Sequence, residues 1–442
     1  MTARHRALGP ALPLRPLARV RPLICALSAA ALLAAGAAGE PASTTARFED
    51  GATAQALVAA GPGLQIVRAA TSLPVAVGIG QDGQVYQWGS VGDGALWGAS
   101  TQVTSTPVLA TPTGFTWPSR PVDVAAAGPI ATRATVLVLL EDGTVWAFGY
   151  GGQGLLGQGS TSNSAIPVQV KFPVGTVVKA LSMNSRGLST TDGDASALAL
   201  TSAGDVYAWG ANRGGQLGVG TTSTTTVPTR VTFPGGAKIA SVAAGGSTGY
   251  AASTSGVLYA WGEGAEGKLA TGSSTNALTP VTAARGQMPA GVTVKAVAAG
   301  ANSGYALGSD GVVYGWGRGL NGRLGTGSTT SPTVPTRSAQ PAGVTFNHLV
   351  AGGTFAFAST PAGQLYAWGW SDAGNLCLPP GTYLAPAAVP QPAGVTFTAD
   401  GATGGYSAIL LGSDANAWFC GQMPYPTGPT VSTLTEVARP WL

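Results

Sequence analysis

Two histidines and three cysteines are all that 442 residues offer to imidazole and thiol chemistry. His5 and Cys25 fall in the first 38 residues, leaving His348, Cys377 and Cys420 for the rest of the chain. So thin a set has no zinc-ligand spacing and no nucleophile paired with a histidine motif. Residues 347–349, Asn-His-Leu, read as strand. Charged residues are only 9% of the chain and form no Lys/Arg cluster, which argues against nucleic-acid binding, where clustered cations neutralise phosphates. Acidic pairs are too sparse to nominate a glycosidase. Asp192 and Asp194 in TTDGDASA (190–197) lack the full spacing of an EF-hand loop and read as a surface turn. GGQGLLGQG (151–159) lacks the Lys-Ser/Thr of a phosphate-binding loop. No catalytic residue, metal or cofactor is nominated, and an enzyme is not expected.

A long apolar run is missing too. ICALSAAALLAAGAA (24–38) is shorter than the about 20 residues of a membrane span. Arg4, Arg6, Arg15, Arg19 and Arg21 precede it, and small residues follow. This pattern reads as a secretory signal peptide over residues 1–38, with an uncleaved anchor as the alternative. Residues 39–63 then form an exported N-terminal segment. Taking those five arginines from the 22 Lys and Arg leaves 17 basic against 18 acidic groups, so the apparent basicity belongs to the leader. The expected location is secreted or associated with the cell envelope.

Glycine is plentiful, at 67 residues, but without the three-residue period of collagen. Its spacing marks a longer repeat. QDGQVYQWG (81–89), EDGTVWAFG (141–149), SAGDVYAWG (202–210), TSGVLYAWG (254–262), SDGVVYGWG (309–317) and PAGQLYAWG (361–369) align, with SDANAWFCG (413–421) as a degenerate seventh. The anchors are Trp88, Phe148, Trp209, Trp261, Trp316, Trp368 and Cys420, separated by 60, 61, 52, 55, 52 and 52 residues. Glycine five residues before the anchor suits a tight hairpin, and the V-Y-x-W run that follows alternates like a strand. Leucine recurs eight residues after the anchor (Leu96, Leu156, Leu217, Leu269, Leu324, Leu376) and reads as a plug between sheets. Proline recurs at nineteen (Pro107, Pro167, Pro228, Pro280, Pro335) and reads as a terminator outside the central ladder. One unit is about four short antiparallel strands. Seven units arranged radially can bury both faces of every sheet.

These residues resemble the repeat of the regulator of chromosome condensation family, best in AGDVYAWGANRGGQLGVGTTSTTTVPTRV (203–231). The resemblance covers about residues 64 to 440 and, with the leader, suggests an exported bacterial member. It implies an all-β, seven-bladed propeller over residues 64–442, built from four-stranded antiparallel blades. Unit seven departs from the pattern: Ala415 replaces the turn glycine, Cys420 replaces the aromatic, and the leucine is missing. A terminal blade closed by both chain ends would tolerate this. Cys377 and Cys420 fall in adjacent units, at places normally filled by glycine and an aromatic. They are either a disulfide or two small buried hydrophobes.

Guanine-nucleotide exchange, which the family also suggests, fits poorly with an exported chain. Secreted β-lactamase inhibitory propellers share the architecture, but no inhibitory residue can be matched, and the Trp-Arg-His signal of plant ultraviolet-B photoreceptors is absent. The expectation is therefore a monomeric, non-enzymatic recognition scaffold for a protein or surface glycan, with a secreted hydrolase, lyase or inhibitor as the alternatives. The two longest separations place extra chain near residues 114–134 and 180–195. Trp117, Arg120, Arg133, Arg186 and Asp192 are the candidate recognition residues there.

Overall fold

The computed structural model describes residues 65–72, 75–90, 103–110, 114–127, 134–185, 195–372, 374–403, 407–414, 416–422 and 430–436. Residues 1–63, with the leader and the segment after it, lie outside them. Seven four-stranded antiparallel sheets follow one another along the chain, each in sequence order. Strands are named A to D within each blade. Blade 1 runs Ile66–Leu109, blade 2 Pro121–Gln169, blade 3 Val178–Val231, and blade 4 Ile239–Thr282. Blade 5 runs Val294–Arg337, blade 6 His348–Ala388, and blade 7 Phe397–Glu436. The A strands of successive blades pack on one another in a closed ring, blade 7 against blade 1. A therefore lines the axis and D the rim. No described helix is long and apolar enough to cross a membrane.

The expected hairpins are present. Glycine five residues before the anchor turns strand B into strand C with φ between 73° and 80°, a conformation that costs glycine nothing. The anchor itself sits on strand C at a bulge, where the C–D register slips between, for example, Ala208 and Gly210. The glycine after it has φ near 100°, and a Cβ on Gly262 would stand 2.4 Å from the Ser247 carbonyl. The Trp-Gly pair thus exists because strand C passes against the A–B turn at that point.

Blades cannot bury their own faces, so the core is divided among the seven junctions. Leu156 joins Leu137, Val145 and Ala147 of blade 2 to Ala197, Ala199 and Trp209 of blade 3. Comparable clusters fill the other junctions. Trp209, Trp261, Trp316 and Trp368 are fully buried, as are Leu156, Leu217, Leu324 and Leu376, which gives the leucines the plugging role their spacing implied.

Two expectations need correction. Pro167, Pro228 and Pro280 lie inside D strands, Ser164–Gln169, Thr225–Val231 and Ala277–Thr282, and do not end them. They fall at the register slip opposite the anchor, on the edge strand, where a missing N–H leaves no ladder bond unmade. Nor, among the described residues, does an N-terminal strand complete the last blade. Blade 7 is built wholly from Phe397–Glu436. The ring closes by side-chain packing of Ile66, Ala76, Tyr86 and Trp88 on Ile409, Ala417 and Phe419.

Candidate recognition face

Because each blade is an up-and-down meander, all A–B and C–D connections emerge at one end of the propeller. The B–C hairpins and D–A connections emerge at the other. The first end is a constant frame. In blades 2 to 6, two residues after the anchor, a backbone N–H donates to the carbonyl at the end of the A–B turn: Tyr150 to Ala134 at 2.8 Å, Ala211 to Ala195 at 2.9 Å, Glu263 to Ser247 at 2.9 Å, Arg318 to Asn302 at 3.0 Å and Trp370 to Thr354 at 3.4 Å. These bonds hold the C–D connections against the A–B turns whatever side chain the residue carries. The side chains differ in kind, from phenol through carboxylate and guanidinium to indole, so chemistry varies on an unvarying backbone.

The connection is also tied to the next blade. At three junctions a carbonyl seven residues after the anchor accepts the indole N–H of the following blade's anchor: Trp209 Nε1 to Leu155 at 2.9 Å, Trp261 Nε1 to Gln216 at 2.8 Å and Trp316 Nε1 to Lys268 at 2.9 Å. Tyr250 Oη donates to the same Lys268 carbonyl at 2.8 Å. The side chain of Lys268 is buried, and its ammonium is held by Glu263 at 2.9 Å, which also accepts from Ser247 Oγ at 2.6 Å. A buried cation beside a hydrogen-bonded carboxylate is satisfied and fixes this connection.

Nine residues after the anchor the backbone is left-handed in each described case: Gly157, Gly218, Ala270, Gly325 and Cys377, with φ of 63°, 69°, 58°, 66° and 54°. A Cβ on Gly218 would meet Trp261 Cδ1 at 2.7 Å, and one on Gly325 would meet Trp368 Cδ1 at 2.8 Å. At the blade 6–7 junction both partners are exchanged. Cys420 stands where the tryptophan would be, and Cys377 where the glycine would be. The two cysteines form a disulfide with Cα atoms 5.2 Å apart. Cys420 Sγ lies 3.7 Å from the Asn375 carbonyl, the acceptor that an indole would have used. The covalent bond replaces the indole–carbonyl link, so these are not two independent small hydrophobes.

The two candidate recognition residues that are described, Trp117 and Arg120, do not form one exposed surface. Trp117 is buried, 8% exposed, and packs edge-on against Phe115 at 5.0 Å and Trp146 at 6.5 Å. It is a core residue and cannot serve as an exposed anchor. The sequence signal was an apolar-Pro pair before strand A: Trp117-Pro118, Phe172-Pro173, Phe233-Pro234 and Met288-Pro289. Phe172 packs on Trp209, and Phe233 on Trp261, in the same way. Arg120 is exposed, but at the hairpin end, where its carbonyl accepts from the Glu141 N–H. Arg133, Arg186 and Asp192 lie outside the described residues, as does Asp194. Strand A of blades 2 and 3, Pro121–Ala127 and Val178–Ser185, takes up part of the two stretches read as insertions. His348 opens strand A of blade 6, opposite Ser359. Asp123, which sequence reasoning did not single out, lies at the start of strand A in blade 2. Burial pushes its carboxyl up to about 6, against the opposing effects of the Val124 N–H and Arg68. No group of three or more His, Cys, Asp or Glu that could hold a metal occurs among the described residues.

A family model described as the RCC1-like domain matches residues 133–425. The E3 ubiquitin-protein ligase HERC2 of Homo sapiens is 31% identical over 295 residues, which are 66% of this chain and 6% of the ligase. The ultraviolet-B receptor UVR8 of Arabidopsis thaliana is 31% identical over 232 residues, 52% of this chain and 50% of the receptor. The chain thus spans a small part of one curated relative and half of the other. The solved structure of yeast RCC1 (Prp20) bound to Kap60 covers 90% of this chain and 91% of its own at TM-score 0.67 and 20% identity, a likeness of fold.

Proposed function

The chain belongs to the RCC1-like domain family, and on that premise we propose that it is an exported, non-enzymatic recognition scaffold that binds a protein across its A–B/C–D end. The observation that carries this reading is the pairing of a repeated frame with unrepeated side chains. The N–H two residues after the anchor makes the same bond in blades 2 to 6, while its side chain is Tyr150, Ala211, Glu263, Arg318 or Trp370. A rigid core that presents unlike groups from like positions is suited to recognition, because loops can change without disturbing the blades. That yeast RCC1 was solved with Kap60 bound supports a protein as the partner class. The basic and apolar pattern of residues 1–38 supports export. A surface glycan is the other partner class that such a face can take.

The test places a photo-crosslinking side chain at Thr275, in the C–D connection of blade 4, or at Thr254, in its B–C hairpin, in the full chain expressed with its leader. Fractionation is expected to find the product outside the cytoplasm. Irradiation is expected to yield protease-sensitive adducts from position 275 and none from 254. Adducts only from 254, or adducts removed only by glycosidases, would overturn the assigned face or partner class. Cytoplasmic retention would overturn export.

A further inference from the structure

The C–D connection of blade 5, residues 318–335, holds two arginines that the frame does not use up. Arg323 follows the short turn Leu320–Gly322 and is only 5% exposed. Its Nε donates to the Leu320 carbonyl at 3.0 Å, and its terminal nitrogens have no hydrogen bond to any described residue. Arg318, 38% exposed, reaches Glu266 of blade 4 only at 3.7 Å, and its Nε is buried without a hydrogen-bond partner. The equivalent cation one blade earlier, Lys268, has Glu263 at 2.9 Å; Arg323 has no such carboxylate. Burial depresses the Arg323 guanidinium, with Tyr305 acting against this, Arg318 adding to it and Glu266 offsetting it least. With its Nε tied to the backbone and no carboxylate beside it, the Arg323 guanidinium keeps its terminal N–H donors for an incoming acceptor.

Apolar surface adjoins the pair. Leu320 is 45% exposed and Trp370 is 36% exposed. The turn Leu320–Gly322 packs against strands C and D of blade 6, Leu365–Ser371 and Gly381–Ala388. Trp370 pairs with Thr382, next to Tyr383, whose carbonyl a Cβ on Gly322 would meet at 2.7 Å. Two under-paired arginines beside an exposed tryptophan and leucine have the composition of interface hot spots, and Arg presents its donors in a fork that matches a carboxylate.

We propose that Arg318, Arg323, Leu320 and Trp370, at the blade 5–6 junction, form a docking subsite for an acidic protein segment, its carboxylate taken by the arginines and a neighbouring apolar residue by Trp370 and Leu320. This rests on the reading that the A–B/C–D end binds protein and names the chemistry of the partner. The probe is a fluorescein-labelled peptide of alternating Glu and Leu, compared with its Gln-for-Glu counterpart by anisotropy at rising NaCl. The Glu peptide is expected to bind the wild-type propeller, and the Gln peptide at least tenfold more weakly. Arg318→Gln, on a part-exposed side chain, is expected to weaken the Glu peptide about tenfold and to lower the salt dependence, since each charged hydrogen bond contributes roughly that factor. Trp370→Ala is expected to weaken both peptides, and Arg230→Gln, in the surface pair with Asp205, neither. Arg323→Gln is expected to exceed Arg318→Gln; if it fails to fold, Arg318→Gln decides alone. Equal binding of the two peptides, or an unchanged salt dependence in Arg318→Gln, would refute the subsite. Concentration-dependent self-association of the free propeller lost in Arg318→Gln would assign the surface to a second copy and refute an acidic partner. If crosslinks from position 275 persist while Arg318→Gln has no effect, this inference falls and the wider reading stands.

Discussion

Reducing the Cys377–Cys420 bridge tests the idea that a disulfide substitutes for the link that an indole makes at other blade junctions. The cysteines are 43 residues apart and span the blade 6–7 junction. For a closed loop of that length, chain entropy in the unfolded state makes the bridge worth about 4 kcal/mol, with native-state strain subtracting from this. A domain is typically stable by only about 5–15 kcal/mol. Reduction leaves two thiols where Trp209, Trp261 and Trp316 make both a hydrogen bond and a large apolar contact, so the loss has no local compensation. The expected result is a lower urea midpoint in a phosphine reductant, with the amides of Phe397–Glu436 losing hydrogen-exchange protection before those of Ile239–Thr282. The double substitution Cys377→Gly with Cys420→Trp restores the residues of the other junctions. It is expected to be indifferent to reductant and to exceed Cys377→Ala with Cys420→Ala in stability, by roughly one hydrogen bond of about 1 kcal/mol plus the buried indole. An unmoved midpoint after confirmed loss of the disulfide would refute the reasoning. So would a double variant no more stable than the alanine pair.

Other outcomes follow from the same geometry. Trp209→Phe and Trp261→Phe each strand a buried carbonyl and are expected to cost about 1–3 kcal/mol beyond lost packing. Trp316→Phe is expected to cost less, because the Lys268 carbonyl keeps Tyr250, and Trp368→Phe removes no hydrogen bond. Equal losses at all four, measured by urea denaturation, would contradict this ranking. Asp123, raised from 3.8 to about 6 by burial, holds its proton more tightly folded than unfolded. Stability should therefore be highest below about pH 4 with respect to this group, fall by about 3 kcal/mol between about pH 4 and 6, and level off above. Asp123→Asn should abolish that fall and raise stability at pH 7; a parallel pH profile for the variant would exclude Asp123 as its source.

The repeat spacing alone determined the blade count, the hairpin positions, the buried anchors and the plugging leucines, because each depends on contacts a fixed number of residues apart or on turn chemistry carried by one glycine. Whatever depends on the neighbouring blade was decided by the tertiary structure. Trp117 read as an exposed anchor because its sequence neighbours are polar and turn-forming, yet the face it covers belongs to Trp146 and Phe148, in the blade that follows. The prolines read as terminators because a missing N–H usually ends pairing; only knowledge that strand D is an edge shows where it does no harm. The cysteines carried half their meaning in sequence, as substitutes for glycine and tryptophan. Whether they could bond depended on the close approach of one blade's connection to the next blade's strand C, a distance that the radial packing of whole sheets sets and no spacing within one unit contains.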